Sequence, residues 1–465
     1  MEKENRFFQT VCQLAVPVTL QSMLQSSFSI VDQIMIGQLG SVSVAGVGLA
    51  GKFSSIYAVV ISAIGAAAGI MISQYLGQKN SREVRRSFFT NLLLGGAVAA
   101  IFTALCMVFP GQIMGLYTAD APTRQAAAGY LFLIALTFLP LAGSTLLSTL
   151  FRCTEKPKLP LYASMISAAL NTGLNYILIF GRLGLPSMGA RGAAIATVIS
   201  QWVNCLLMLL MLSHTGPISA QPGEKVRPAG FNWNQYLSML LPILVCEVVW
   251  SLGENVYAGI YGHMGTQATA AMTLINPIQG LLIGALCGLS QAASVIIGKK
   301  LGSEEYEAAY TAAWKLLLYG AVGSVLLSAV VVLTRALYVE IYQVEEAVKE
   351  LTRQILLAYA LIAPFKVLNM ILGGGIIRSG GRTKYVMYID MIGTWGFGVP
   401  LGLVSAFVLK LSIPYVYFIL SLEECVRFAI SLAVLRRKKW MNCLEAGKLY
   451  SGGQCPRTMA HRAGI

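Results

Sequence analysis

Twelve stretches of this chain are each apolar over about the 20 residues that a bilayer-spanning helix requires. They run approximately over 14–39, 44–76, 88–109, 125–150, 159–181, 189–213, 235–262, 268–299, 309–334, 350–376, 385–409 and 412–436. Hydrocarbon offers no water to peptide groups, so each stretch must satisfy its own backbone hydrogen bonds. The expected fold class is therefore an all-α polytopic membrane protein of twelve transmembrane helices. Of the 465 residues, 56% are hydrophobic and 12% charged, too few charges to coat a water-facing surface. The 46 glycines suit close helix packing in lipid.

A formal net charge of +14 raises the question of nucleic acid, but the Lys and Arg residues fall in short runs between apolar stretches. That is the pattern of membrane orientation, and no nucleic-acid partner is expected. Twelve spans leave both termini on one side. The termini and loops of that side hold 23 Lys and Arg, among them Arg82, Lys156, Lys225, Arg227, Arg382 and Arg437, against eight opposite. Both termini should be cytoplasmic, in a multi-pass protein of the cell membrane. The first apolar run far exceeds a signal-peptide core, so the first helix is expected to remain in the protein. The nine Cys residues are scattered without a CxxC pair, and read as packing residues rather than disulfide or metal-site partners.

A repeat organises the chain. At an offset of 225 residues Pro17 falls on Pro242, Gly37 on Gly262, Gly40 on Gly265, Ala45 on Ala270, Leu76 on Leu301 and Gly77 on Gly302. One residue further, Arg152 falls on Arg378, Lys158 on Lys384 and Tyr162 on Tyr388. Shared Pro and Gly positions mark shared backbone features, so two six-helix lobes are expected: 1–213, then a cytoplasmic linker over 214–234 rich in Pro and Gly, then 235–440. Residues 441–465 read as a cytoplasmic tail. Six is even, so the halves enter the membrane from the same side as parallel repeats. Such repeats set substrate and ion sites near the midplane and give alternating access by rocking.

Ionisable groups inside spans cost several kcal/mol and mark candidate sites. Asp32 lies in the first span, and Gln21, Gln25, Ser29 and Asp32 share one helical face, with Gln33 adjacent. Asn171 and Asn175 are one turn apart in the fifth span. In the seventh, Glu247, Ser251 and Glu254 share a face; two charged carboxylates there would repel, so one is expected to hold a proton or cation. Lys366 and Asp390, in the tenth and eleventh, are expected to pair with each other. Glu423, Glu424 and Arg427 are spaced to satisfy one another, a structural reading. A buried carboxylate attracts H⁺, Na⁺ or an organic cation, and mutual exclusion of ion and substrate would let inward ion flow drive outward transport.

The segments LAVPVTLQSMLQSSFSIVDQIMIGQLG, LNTGLNYILIFG, LPILVCEVVWSLGENVYAGIYGHMG and IIRSGGRTKYVMYIDMIGTWGFGVPLG, in that order from about residue 10 to 440, resemble the bacterial multidrug and toxic compound extrusion (MATE) family. The resemblance implies a V-shaped bundle of two lobes, working as a monomer, that exports small organic, often cationic, compounds in exchange for H⁺ or Na⁺. It assigns cation coupling to Asp32 and Glu247 and cavity lining to Asn171 and Asn175. The placement of polar residues within the spans adds Gln25, Gln33, Glu254, Lys366 and Asp390 to the candidate lining, with Na⁺ a candidate ligand at Asp32 or Glu247. No cofactor besides the coupling ion is implied. Some branches of the family carry an Asp in helix 5 or in helix 10. This chain has neither, offering Lys366 and Asn369 in the tenth.

Two other readings compete. A lipid-linked oligosaccharide flippase of the wider superfamily would call for a basic cavity, whereas Asp32 and Glu247 are acidic. An intramembrane enzyme lacks equipment here: His214, His263 and His461 lie at span ends, in loops or in the tail, and neither HExxH nor GxSxG occurs.

Overall fold

The computed structural model describes residues 2–182, 184–215, 231–342 and 344–444. Most of the expected linker and tail, with Lys225, Arg227 and His461, lies outside them. The described residues form a helical array: α1 (Glu2–Gly37), α2 (Ser41–Gly77), α3 (Ser81–Val108), α4 (Ala121–Cys153), α5 (Lys158–Phe180), α6 (Gly189–Thr215), α7 (Trp233–His263), α8 (Thr266–Gly302), α9 (Tyr306–Glu340), α10 (Glu346–Ile377), α11 (Lys384–Val408) and α12 (413–436). The first eleven are long and apolar enough to cross a membrane. The twelfth is interrupted at Leu422, where Ile413–Ser421 gives way to Glu423–Arg436, and the break falls beside its two carboxylates.

Caps and turns set where the helices begin. Asn80, Asp120 and Asn232 accept hydrogen bonds from the backbone N–H groups of Glu83, Thr123 and Gln235 and so start α3, α4 and α7. The turns into α2 and α8 use the repeat-related Gly40 and Gly265, with φ of 87° and 112°, values that a residue with Cβ rarely adopts. Pro17 and Pro242, also repeat-related, sit inside α1 and α7. Wider π-type turns interrupt α10 over Met370–Ile377 and α11 over Ile392–Gly398 and Val404–Val408. In α10 the widened turn brings Gly375 so close to α8 that a Cβ there would lie 2.6 Å from the Ser290 carbonyl oxygen.

Within the first half α2 packs on α3 and α4, and α5 on α1 and α6; within the second α8 packs on α9 and α10, and α7 on α11. The halves meet through α1 with α8, and α2 with α7 and α8. Their close approaches lie towards the ends nearer the chain termini. A Cβ on Gly77 would fall 2.0 Å from the Lys299 carbonyl oxygen, and one on Gly302 1.9 Å from that of Gln74. The side chain of Gln74 donates to the carbonyls of Ser379 and Asn442 and accepts from the Leu444 N–H, while Gln78 donates to the Leu444 carbonyl. Tyr236 donates to Asn91 at 2.8 Å, and Lys299 pairs with Glu155 at 2.6 Å. At the far turns, side chains added at Gly37, Gly40, Gly262 or Gly265 would meet nothing within 4 Å. The halves are thus knitted at the terminus side and part towards the other.

Candidate functional site

Two polar cavities lie within the halves. The first, about 320 Å³, is enclosed by α1, α5 and α6. The shared face of α1 supplies Gln25, Ser29 and Asp32, α5 supplies Ser164, Ser167 and Asn171, and α6 supplies Thr197, Ser200, Gln201 and Asn204. The half-buried Asp32 is its sole ionisable lining group. Asn175, fully buried behind the cavity, donates from Nδ2 to Asp32 Oδ1 at 2.5 Å and to Asn171 Oδ1 at 3.2 Å. Asn171 donates in turn to Thr197 and Ser200, and Gln21 donates to Ser164 at 2.8 Å. The one-turn spacing of the two asparagines therefore builds a relay: one amide holds the carboxylate and the other ties α5 to α6. Buried carbonyl oxygens of Asn175, Gln201 and Asn204 have no partner among the described residues. Of these, Gln201 and Asn204 belong to residues that line the cavity, whereas Asn175 stands behind it. Gln33 stands apart, exposed and not among the lining residues.

The second cavity, about 310 Å³, belongs to the other half and is different in kind. Its walls carry three carboxylates (Glu254, Glu423 and Glu424), the ammonium of Lys366, and the phenols of Tyr257, Tyr261, Tyr359 and Tyr417. Tyr257 donates to Glu423 at 2.6 Å, Gln279 to the Tyr417 hydroxyl at 2.9 Å, and Asn369 to Glu424 Oε2 at 2.8 Å. Behind it the buried Arg427 lies 3.7 Å from Glu424 and 3.3 Å from Asp390, and donates to the Thr394 hydroxyl. Glu254 is exposed to the cavity and makes no hydrogen bond or ion pair among the described residues.

Several pairings differ from those the spacing suggested. Asp390 takes Arg427 and the Cys246 thiol as partners, not Lys366, because α12 brings a guanidinium closer than α10 brings the ammonium. Lys366 instead faces the three glutamates across the cavity. Glu247 and Glu254 do not share one environment. Glu247 is paired with Arg378 at 3.2 Å and does not line the cavity. Glu424 and Arg427 do pair within α12, but Glu423 turns to Tyr257 and the cavity. The tyrosines were not foreseeable: aromatic residues occur throughout the spans, and nothing in their spacing separates cavity-facing from lipid-facing rings. Among the described residues no cluster of His, Cys, Asp and Glu is arranged to hold a metal.

Comparison with known proteins gives the same architecture. The sequence model of the MatE family matches twice, over residues 17–177 and 242–404, once in each half and starting 225 residues apart, the offset of the internal repeat. The chain is 23% identical to the uncharacterized transporter YisQ of Bacillus subtilis, over 92% of this chain and 94% of that one. It is 22% identical to a probable multidrug resistance protein NorM of Thermotoga maritima, over 92% of each. Among solved structures, a mutant of the Vibrio cholerae MATE transporter VcmN superposes with a TM-score of 0.85 at 17% identity, covering 95% of this chain and all of that one. A MOP superfamily transporter from Pyrococcus furiosus, described as having a binding pocket of reverse polarity, superposes with a TM-score of 0.83 at 16% identity, covering 92% and 94%.

Proposed function

We propose, from the premise that this chain belongs to the MatE family, that it is a multidrug efflux transporter that exports small organic compounds in exchange for inward-moving H⁺ or Na⁺. It is a transporter and not an enzyme. The observation that carries the coupling mechanism is the first-half cavity, where Asp32 is the lone ionisable group among the described lining residues and is tethered by Asn175. A carboxylate so held accepts a proton or Na⁺, and with either bound it no longer attracts a cationic substrate. When each ligand excludes the other, the ion gradient drives the substrate the opposite way. The terminus-side closure supports a state open to the far side, and the distribution of Lys and Arg supports cytoplasmic termini, so this state would face outward.

The charges of the second-half cavity favour a further cation locus at Glu254. Its carboxylate lacks a partner among the described residues, and with all four lining groups charged that cavity is net negative. The chain is expected to work as a monomer in lipid.

The test is efflux of ethidium from proteoliposomes holding the full chain, with Na⁺ and pH gradients imposed separately. One gradient should drive efflux in the wild type, and Asp32→Asn should abolish that drive while Glu247→Gln, which breaks only an ion pair, should not. Gradient-driven efflux persisting in Asp32→Asn would remove the coupling role.

A further inference from the structure

A third cavity, about 350 Å³, lies between the halves, walled by α2 and α4 on one side and α8 and α10 on the other. Its size falls within the range of small-molecule sites. The walls are repeat-related. Gly65, Ala66 and Gly69 on α2 correspond, at the 225-residue offset, to Ser290, Gln291 and Ser294 on α8, and Arg152 on α4 corresponds to Arg378 on α10. The chemistry at these three positions is nonetheless lopsided: α2 offers bare backbone and a methyl group there, and α8 offers two hydroxyls and a carboxamide, while Ser62 adds one hydroxyl from α2. No Asp or Glu lines this space.

The two guanidinium groups are compensated differently. Arg378 is paired with Glu247, and its buried Nε has no partner among the described residues. Arg152 has no carboxylate partner among the described residues and donates only to the Thr149 hydroxyl, at 3.2 Å. The nearby Glu155 is engaged by Lys299. Across the cavity Gln291 and Ser294 make no hydrogen bond among the described residues. A cation withdrawn from bulk water without a counter-charge is unfavourable by several kcal/mol, and an Arg fork matches the paired oxygens of a carboxylate or phosphate.

We infer that this cavity receives an anionic group, a carboxylate or phosphate, of the transported compound, held by Arg152 and closed over by Gln291 and Ser294 from the other half. The inference rests on the export reading and assigns the acidic group of a transported compound to a site separate from Asp32. A ligand that touches both walls at once binds fully at one spacing of the halves, so its affinity differs between conformations, as transport requires.

The test measures equilibrium binding of a small fluorescent carboxylate, methoxycoumarin carboxylate, to the full chain in phosphatidylcholine nanodiscs by anisotropy. No ion gradient is present, so a negative result here is distinct from failure of coupled export. The wild type should bind the carboxylate saturably and its uncharged carboxamide analogue at least about tenfold more weakly, the scale of charge-assisted hydrogen bonds. Arg152→Gln should weaken carboxylate binding by about tenfold or more, Arg152→Lys should recover part of it, and Gln291→Leu should weaken it about threefold. Displacement by citrate or inorganic phosphate would assign the anion to a soluble compound. Displacement only by short-chain phosphatidylglycerol would assign the site to a lipid headgroup and overturn its assignment to the transported compound. Equal affinity for carboxylate and carboxamide in the wild type, or undiminished affinity in Arg152→Gln, would overturn the inference. Should Arg152→Gln fail to fold, the wild-type preference and Gln291→Leu decide.

Discussion

The two intralobe cavities occupy opposite halves of one repeat and are close in volume, yet they handle charge in contrasting ways. Around Asp32 every other described lining group is neutral, so the walls supply no counter-charge. Around Glu423 and Glu424 the protein brings its own counter-charges, Lys366 across the cavity and Arg427 behind it, with Asp390 drawn into the same network. A shared backbone plan therefore does not fix the electrostatic plan. One half keeps a single carboxylate among neutral groups, and the other keeps a mixed cluster in which carboxylates outnumber cations and Glu254 makes no ion pair among the described residues.

If this contrast holds, the largest effect should come from breaking the mixed cluster. Arg427→Met leaves Asp390 and Glu424 without their buried partner, a change of about 3–5 kcal/mol, and should abolish the monodisperse peak in size-exclusion chromatography or lower the melting temperature sharply. A stable Arg427→Met protein would mean that the cluster is not self-compensated. Asp32→Asn should do the reverse, keeping the melting temperature within a few degrees while lowering gradient-driven ethidium efflux by at least about tenfold, in the range of coupling energies between sites. Thermal collapse of that variant would make Asp32 structural. Asn175→Ala removes the donor that holds Asp32 Oδ1 and should weaken coupling about three- to tenfold, read as a shift in the ion concentration giving half-maximal efflux. An unshifted midpoint would show that the tether is incidental. Smallest, Glu254→Gln should lower efflux about twofold to fivefold, because Glu423 and Glu424 keep the second cavity negative. A loss as large as that of Asp32→Asn would move the main coupling site to the second half.

The periodic part of this architecture could be read directly. Long apolar runs dictate helices in lipid, and repeated Pro and Gly positions carry backbone requirements that recur in space, as at Gly40 with Gly265 and Gly77 with Gly302. The face bearing Gln25, Ser29 and Asp32 was legible because helical spacing alone puts those residues together. Side-chain partners were not. Whether Glu247 or Glu254 looks into a cavity depends on which neighbour stands opposite, and Arg378 reaches the first from a helix some 130 positions away. The same applies to Asp390, whose cation partner, Arg427, comes from α12 rather than from α10. Gln33 shows the converse limit: adjacency to Asp32 along the chain turns it about 100° away around the helix.

The fastening at the terminus side has an energetic consequence for any cycle that opens it. Apart from the exposed Lys299–Glu155 pair, that clasp is made of neutral hydrogen bonds, from Gln74 and Gln78 to backbone groups and from Tyr236 to Asn91, and of bare glycine contacts. Such bonds are each worth about 1 kcal/mol net, because water replaces them when they part. One elementary charge moving across the membrane releases about 2.3 kcal/mol per 100 mV. Unfastening a few neutral bonds thus lies within reach of a small number of ions, whereas a clasp of buried ion pairs would hold the two halves shut against the same driving force.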